Sequence, residues 1–292
     1  MPEGKIIKAL SGFYYVMDGE KTIQCRGRGV FRKRKITPLV GDSVVYQYEK
    51  EHEGYILEIK ERRNELVRPP ISNVDQAILV FSAVEPAFST VLLDRFLVLI
   101  EANHIDAIIV ISKVDLLADE EKERILQYQK EYQKMGYTVI TTSSITAQGM
   151  ESLRPFLKGK VSVFAGQSGV GKSSLLNTLN PDLALKTDDI STHLGRGKHT
   201  TRHVELIAIE EGLVADTPGF SSLEFTIEEH ELSDCFPEIR EKSHECKFRG
   251  CLHDQEPKCA VKMAVEEGEI EKYRYDHYLE FLLEIKDRKP RY

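Results

Sequence analysis

A chain of 292 residues, 41% hydrophobic and 30% charged, has room for about two or three domains of ~100–200 residues and reads as an ordinary globular protein. No run approaches the ~18 apolar residues of a membrane-spanning helix, and Met1-Pro2-Glu3-Gly4-Lys5 lacks the apolar centre of a signal peptide, so a cytoplasmic location without a membrane partner is expected. The formal charge of −7 argues against nucleic acid as a partner for the whole chain, but it averages over a basic N-terminal region.

In residues 1 to about 68, short β-rich runs fall at Lys5–Leu10, Phe13–Met17, Lys21–Arg28, Asp42–Tyr48 and Gly54–Glu61. Turns such as Asp18-Gly19 and Gly41-Asp42 separate them, which predicts a compact β-barrel of the OB type. The link between the third and fourth runs holds Arg26, Arg28, Arg32, Lys33, Arg34 and Lys35, with Phe31 among them. A basic loop with an aromatic on a small barrel suits RNA, through phosphate contacts and base stacking.

Arg68-Pro69-Pro70 reads as a linker, because consecutive prolines offer no N–H to a neighbouring element. Beyond it, Ala77–Phe81 and Ala107–Ile111 are apolar, β-branched runs of the kind buried on both faces of a parallel sheet. Helical spacing marks Thr90–Asn103, Asp119–Gly136 and Gln148–Leu157, with another strand at Tyr137–Thr142. The alternation predicts a doubly wound α/β domain.

Val161–Ala165 reads as a buried strand, and Ser174–Leu179 as a helix. Between them Gly166-Gln167-Ser168-Gly169-Val170-Gly171-Lys172-Ser173-Ser174 fits G-x-x-x-x-G-K-[ST], the phosphate-binding loop. Its glycines let backbone N–H groups turn toward a β-phosphate, Lys172 reaches the β- and γ-phosphates, and the Ser173 hydroxyl is placed for Mg²⁺. A nucleoside triphosphate is the expected ligand.

Residues 186–202 show little hydrophobic periodicity and read as a surface loop containing His199, Thr200 and Thr201. A hairpin is expected next, from Val204–Ile209 to Leu213–Ala215 across Glu210-Glu211-Gly212. Its second strand runs into Asp216-Thr217-Pro218-Gly219, the D-x-x-G element in which the Asp holds Mg²⁺, usually through water, and the glycine N–H senses a γ-phosphate. Ser112-Lys113-Val114-Asp115, also at a strand end, resembles the guanine-reading [NT]-K-x-D element. There the Asp accepts from guanine N1–H and the exocyclic amine while the Lys stem covers the ring; adenine would leave that carboxylate unpaired. Ser112 departs from the pattern and shortens one polar contact. Ser143-Ser144-Ile145, after the following strand, resembles the loop whose backbone meets guanine O6.

The base-reading element here precedes the phosphate loop, the reverse of the order in most GTPases. The strand candidates still complete a GTPase sheet if its halves are exchanged, which is a circular permutation. Downstream, Cys246-x₄-Cys251-x-His253-x₅-Cys259 offers three sulfurs and an imidazole, a complete tetrahedral shell for a structural zinc. Cys25 and Cys235 stand alone and are expected to be buried small hydrophobes; His244 is a weak rival ligand.

With a barrel before the permuted domain and a Cys/His cluster after it, the chain resembles the small ribosomal subunit biogenesis GTPase family, RsgA. The resemblance rests on Gly166–Ser174, Ser112–Asp115, Asp216–Gly219, their order and the cysteine cluster, and it covers essentially the whole length. It implies three domains: an OB-fold RNA-binding barrel at 1–68, a circularly permuted P-loop GTPase domain at 69–222 and a helical zinc-binding domain at 223–292. It also implies GTP hydrolysis to GDP, stimulated by the small (30S) ribosomal subunit during late maturation, with 16S rRNA as a partner of a monomeric chain. Zinc at Cys246, Cys251, His253 and Cys259 follows from the same likeness. The Thr201-Arg202 step matches one found in several ribosome-associated GTPases, which assigns Thr201 to Mg²⁺ beside Ser173. Phe220 stands where Ras-type GTPases place a water-orienting glutamine, and His199 is the nearest polar alternative, if it is not simply exposed loop. Lys172, His199, Thr201, Asp216 and Gly219 are thus the expected catalytic set. An ATP-using enzyme and an RNA-binding assembly factor with a purely structural nucleotide are the rival readings, and Asp115 argues against the first.

Overall fold

The computed structural model describes residues 1–29, 31, 36–50, 53–67, 69–183, 204–216 and 223–288. The N-terminal strands are β1 (Glu3–Leu10), β2 (Phe13–Asp18), β3 (Lys21–Gly27), β4 (Ser43–Lys50) and β5 (Glu53–Ile59). Their order is β1-β2-β3-β5-β4, and β4 returns to pair with β1, which closes the barrel. Ile6, Val16, Ile23, Cys25, Val44, Tyr46 and Ile56 fill its interior. The expected OB-type barrel is present.

Phe31 differs from expectation. It is 7% exposed and belongs to the apolar core, so it cannot stack on a base. A single phenylalanine among cations reads as a surface aromatic, yet next to a small barrel it has apolar neighbours to join. Arg32, Lys33, Arg34 and Lys35 lie outside the described residues.

The proline stretch is not a free linker either. β6 (Glu65–Val67) and β7 (Pro70–Ser72) form a hairpin around Pro69, with Leu66 and Ile71 buried. Proline is compatible with the first residue of a short strand that has an open edge. Ser72 Oγ donates to the buried Asp42 carboxylate at 2.6 Å, and Arg62 Nε donates to it at 2.7 Å, which pins the hairpin to the barrel.

The second sheet is built from β8 (Gln76–Ser82), β9 (Asp106–Ser112), β10 (Thr138–Thr141), β11 (Val161–Ala165), β12 (Glu205–Ile209) and β13 (Gly212–Asp216). Its order is β10-β9-β8-β11-β13-β12, parallel except for β12. Every residue of β8 and β11 is buried, because helices cover both faces. On one face α1 (Thr90–Glu101) and α2 (Asp119–Lys134) pack Leu93, Phe96, Leu97, Ile125 and Tyr132 against Leu79, Phe81 and Ile109. On the other, α3 (Met150–Leu157) and α4 (Lys172–Leu179) pack Leu153, Leu157, Leu175 and Leu176 against Ile78, Val80 and Phe164. The strand leading to the phosphate loop is central although it comes fourth in sequence among the six strands of this sheet, as a permuted sheet requires. The hairpin at Glu210-Glu211-Gly212 is also present, with φ of 52° and 59° at the two glutamates.

β1 also pairs with β12 at Lys8↔Glu205, and the Lys8 ammonium lies 2.8 Å from the Glu205 carboxylate. Barrel and α/β sheet thereby become one 11-stranded sheet. Residues 223–288 add α5 (Pro237–Ser243), α6 (Ala260–Glu266) and α7 (Lys272–Lys286), which bury Phe236, Tyr278, Phe281 and Leu282 around Val98 of α1.

Candidate nucleotide and metal sites

The chemistry gathers at the carboxyl ends of the parallel strands. β11 ends at Ala165 and the chain turns at Gly166, with φ of 140°. A β-carbon there would lie 2.1 Å from the Val80 carbonyl oxygen, so only glycine fits. Gly171, with φ of 95°, starts α4. Gln167, Ser168 and Gly169 are exposed, Val170 anchors the loop in the core, and Ser173 is buried in the first helical turn. Lys172 Nζ donates to the carbonyls of Gly166 and Gln167 at 2.7 and 2.6 Å, arching over the loop.

β9 brings the base-reading element to the same place. Ser112 Oγ donates to the Val170 carbonyl at 2.5 Å, and Lys113 Nζ donates to those of Gly169 at 2.7 Å and Glu85 at 2.6 Å. Lys113 adopts φ of 61°, and the following 3₁₀ turn, Val114–Leu116, leaves Asp115 exposed. At the end of β10, the Thr142 carbonyl accepts from Val114 N–H at 3.3 Å, next to Ser143 and Ser144. Ser143 is fully buried; its Oγ accepts from the amides of Ile145 and Thr146 at 3.2 and 3.1 Å, which fixes the loop. Asp216 closes β13 one residue beyond the Val163↔Ala215 pair, beside the phosphate-loop strand. The segments 112–115, 143–144, 166–174 and the strand end at Asp216 therefore share one edge of the sheet. His199, Thr201 and Gly219 lie outside the described residues.

The cysteine cluster is compact. Cys246 Sγ is 3.8 Å from Cys259 Sγ, and His253 Nδ1 is 3.6 and 3.3 Å from those two sulfurs. All four ligand atoms, Cys251 Sγ included, lie within 4.8 Å of one another. A tetrahedral ion with bonds of about 2.3 Å to sulfur and about 2.0 Å to nitrogen has edges of about 3.8 and 3.5 Å. The donor set fits zinc in size and in chemistry. Burial lowers the His253 pKa, favouring the neutral imidazole a metal needs, and pushes the Cys251 thiol up to about 12, a proton that a cation would displace. The supporting turn is held by Glu256, which accepts from the amides of Leu252 and Asp254, and by Tyr275 and Tyr278, which donate to the carbonyls of His253 and Leu252. His244 is exposed outside this cluster, while Cys25 and Cys235 are buried apart from it with thiols raised to about 11 and about 12 by desolvation.

Sequence reasoning missed two features. On the barrel, Tyr48 and Tyr55 are 54% and 43% exposed, and Arg26 lies over the Phe13 ring at 4.8 Å. The alternation of Tyr55 with buried Ile56 could have signalled the outward ring; Tyr48 shares the parity of buried Tyr46 and could not. The second feature is the buried charge cluster between α1 and α7. Asp94 accepts from Arg274 Nη1 at 2.5 Å and from Tyr132 OH at 2.6 Å, and its other oxygen lies 2.5 Å from His277 Nδ1.

Residues 59–226 match the family model described as RsgA GTPase, and residues 3–56 match the one described as RsgA N-terminal domain. The chain is 72% identical to the small ribosomal subunit biogenesis GTPase RsgA of Bacillus velezensis and 68% identical to that of Bacillus subtilis, with 100% of both chains covered in each case. It superposes on the crystal structure of YloQ, a circularly permuted GTPase, with a TM-score of 0.87 and 63% identity, covering 100% of this chain and 97% of that one. On YjeQ from Thermotoga maritima the TM-score is 0.89 at 38% identity, with 99% of each chain covered.

Proposed function

This chain belongs to the RsgA GTPase family and is a GTP hydrolase, and from that premise we propose that it works on the small (30S) ribosomal subunit in a late step of its maturation. The observation that supports the guanine reading is the pair of bonds from Ser112 and Lys113 to Val170 and Gly169, which ties the segment carrying exposed Asp115 to the phosphate loop. Asp115 would accept from N1–H and the exocyclic amine of guanine, the Lys113 stem would cover the ring, and the backbone around Ser143 and Ser144 would meet O6. Gly166–Ser174 would wrap the phosphates of GTP or GDP.

In the reaction, water attacks the γ-phosphorus in line; the bond to the bridging oxygen breaks and GDP leaves with its electron pair. Lys172 and the loop amides stabilise the charge that develops on the phosphoryl oxygens. Mg²⁺ on Ser173 and Thr201, with Asp216 acting through water, would supply further neutralisation. Gly219 N–H senses the γ-phosphate, and His199 orients the water that Phe220 cannot. Turnover by the free protein is therefore slow, and the subunit accelerates it.

The division of labour we propose is an N-terminal barrel that holds 16S rRNA and carries the β6–β7 hairpin as far as Ser72, so that the boundary expected at 68/69 moves past the hairpin, then a GTPase domain up to 222 and a zinc-stabilised domain at 223–292, in a cytoplasmic monomer. Cys246, Cys251, His253 and Cys259 would fill all four positions of a tetrahedral ion and leave none for substrate, so a zinc held there would be structural. Asp115→Asn tests the guanine assignment. It should weaken GTP binding and shift preference toward xanthosine triphosphate, whose extra carbonyl accepts from the new amide. A wild-type protein that binds ATP and GTP alike would contradict the assignment.

A further inference from the structure

Ser112 is 4% exposed, and among the described residues its Oγ meets the carbonyl oxygens of Val170 at 2.5 Å and Phe81 at 3.2 Å. Both can only accept, so the single hydroxyl proton is committed to the nearer one and none is left to donate toward a ligand. The side chain of Val170 is fully buried, so its carbonyl cannot turn to solvent without pulling that side chain from the core. Lys113 repeats the grip one residue along, on Gly169. A β-carbon built on Gly171 would lie 4.0 Å from Ser112 Oγ and 3.9 Å from Lys113 Cε, so both side chains run directly against the end of the loop.

We propose that Ser112 is a positioning residue: its hydroxyl holds the phosphate loop in register with the base-reading segment and makes no contact with the base. The proposal rests on the guanine-nucleotide reading above and deepens it. Without the hydroxyl, the Val170 carbonyl is a buried acceptor lacking a donor among the described residues, and the loop must shift or leave it unpaired. The loss falls on the phosphate cradle, so it is the same for any nucleotide whatever its base carries. Specificity for the base then rests with Asp115, and position 7 of the purine goes unread by residue 112.

The test measures dissociation constants of GDP and 7-deaza-GDP for the wild-type chain, Ser112→Ala and Ser112→Thr. Wild type should bind the two ligands equally. Ser112→Ala should weaken both by the same factor, on the order of tenfold, and Ser112→Thr, which keeps the hydroxyl, should restore both. A wild-type preference for GDP over 7-deaza-GDP that disappears in Ser112→Ala would overturn the proposal, as would unchanged affinities in Ser112→Ala. Asp115→Asn with xanthosine diphosphate is a separate arm. If it leaves base preference unchanged while Ser112→Ala weakens all ligands equally, the guanine assignment fails and the positioning role stands.

Discussion

The Arg274 guanidinium meets the Asp94 carboxylate at 2.5 Å with both side chains fully buried, although 180 residues separate them. Glu238 takes the remaining face of Arg274 at 2.7 and 3.2 Å, and the Phe236 ring lies 4.5 Å below it. Outside this cluster, Arg95 pairs with Glu284 and lies between Phe225 and Phe281, at 4.6 and 4.7 Å. The C-terminal helices are therefore fastened to α1. A movement of these helices relative to α1 would have to break a buried ion cluster.

Removing one partner of this cluster strands the other charges in the core. Arg274→Met should lower unfolding stability by about 3–5 kcal/mol, measured by urea denaturation followed through tyrosine fluorescence. A loss under about 1 kcal/mol would mean that the cluster does not hold the two parts together.

Much of the nucleotide site was legible because phosphate chemistry narrows the choice of residue. Gly166 has no room for a β-carbon, and Lys172 follows at fixed spacing, so the pattern and the geometry coincide. The permuted order was legible because each motif ends its own apolar strand. What stayed hidden depends on neighbours remote in sequence. Thr90–Glu101 shows an apolar face of Leu93, Phe96, Leu97 and Ile100 toward the sheet, so Asp94 reads as solvent-facing. α7 covers that side, and nothing local to α1 announces it. Phe31 and the β6–β7 hairpin escaped for the same reason: a lone aromatic among cations and a Pro-Pro pair look like surface and linker until a neighbour is known.

Zinc removal gives a second prediction. Structural zinc contributes on the order of 10 kcal/mol of folding free energy, and Cys251→Ser breaks its shell. The variant, or the wild type treated with a strong chelator, should lose structure in 223–288 while GDP binding persists, because 112–115 and 166–174 draw no support from the cluster. Metal analysis should find one zinc per wild-type chain. Well under one, in protein purified without chelators, would count against the site.

The barrel supplies a third. Replacing Arg32, Lys33, Arg34 and Lys35 by neutral residues should weaken subunit binding and reduce its dependence on salt, by ~0.7–0.9 in slope for each phosphate that is no longer neutralised. Replacing exposed Tyr48 and Tyr55 by alanine should weaken it with the salt slope unchanged, since stacking releases no counterions. If the charge variant keeps both affinity and slope, the basic stretch is solvated surface.

The most direct test is the steady-state rate of GTP hydrolysis with and without purified small ribosomal subunits. The free protein should turn over slowly, and subunits should accelerate it within the ~10³–10⁵-fold range that partner-supplied or partner-ordered groups achieve. His199→Ala should remove most of the stimulated rate and leave GDP affinity unchanged. Equal rates with and without subunits would contradict the account.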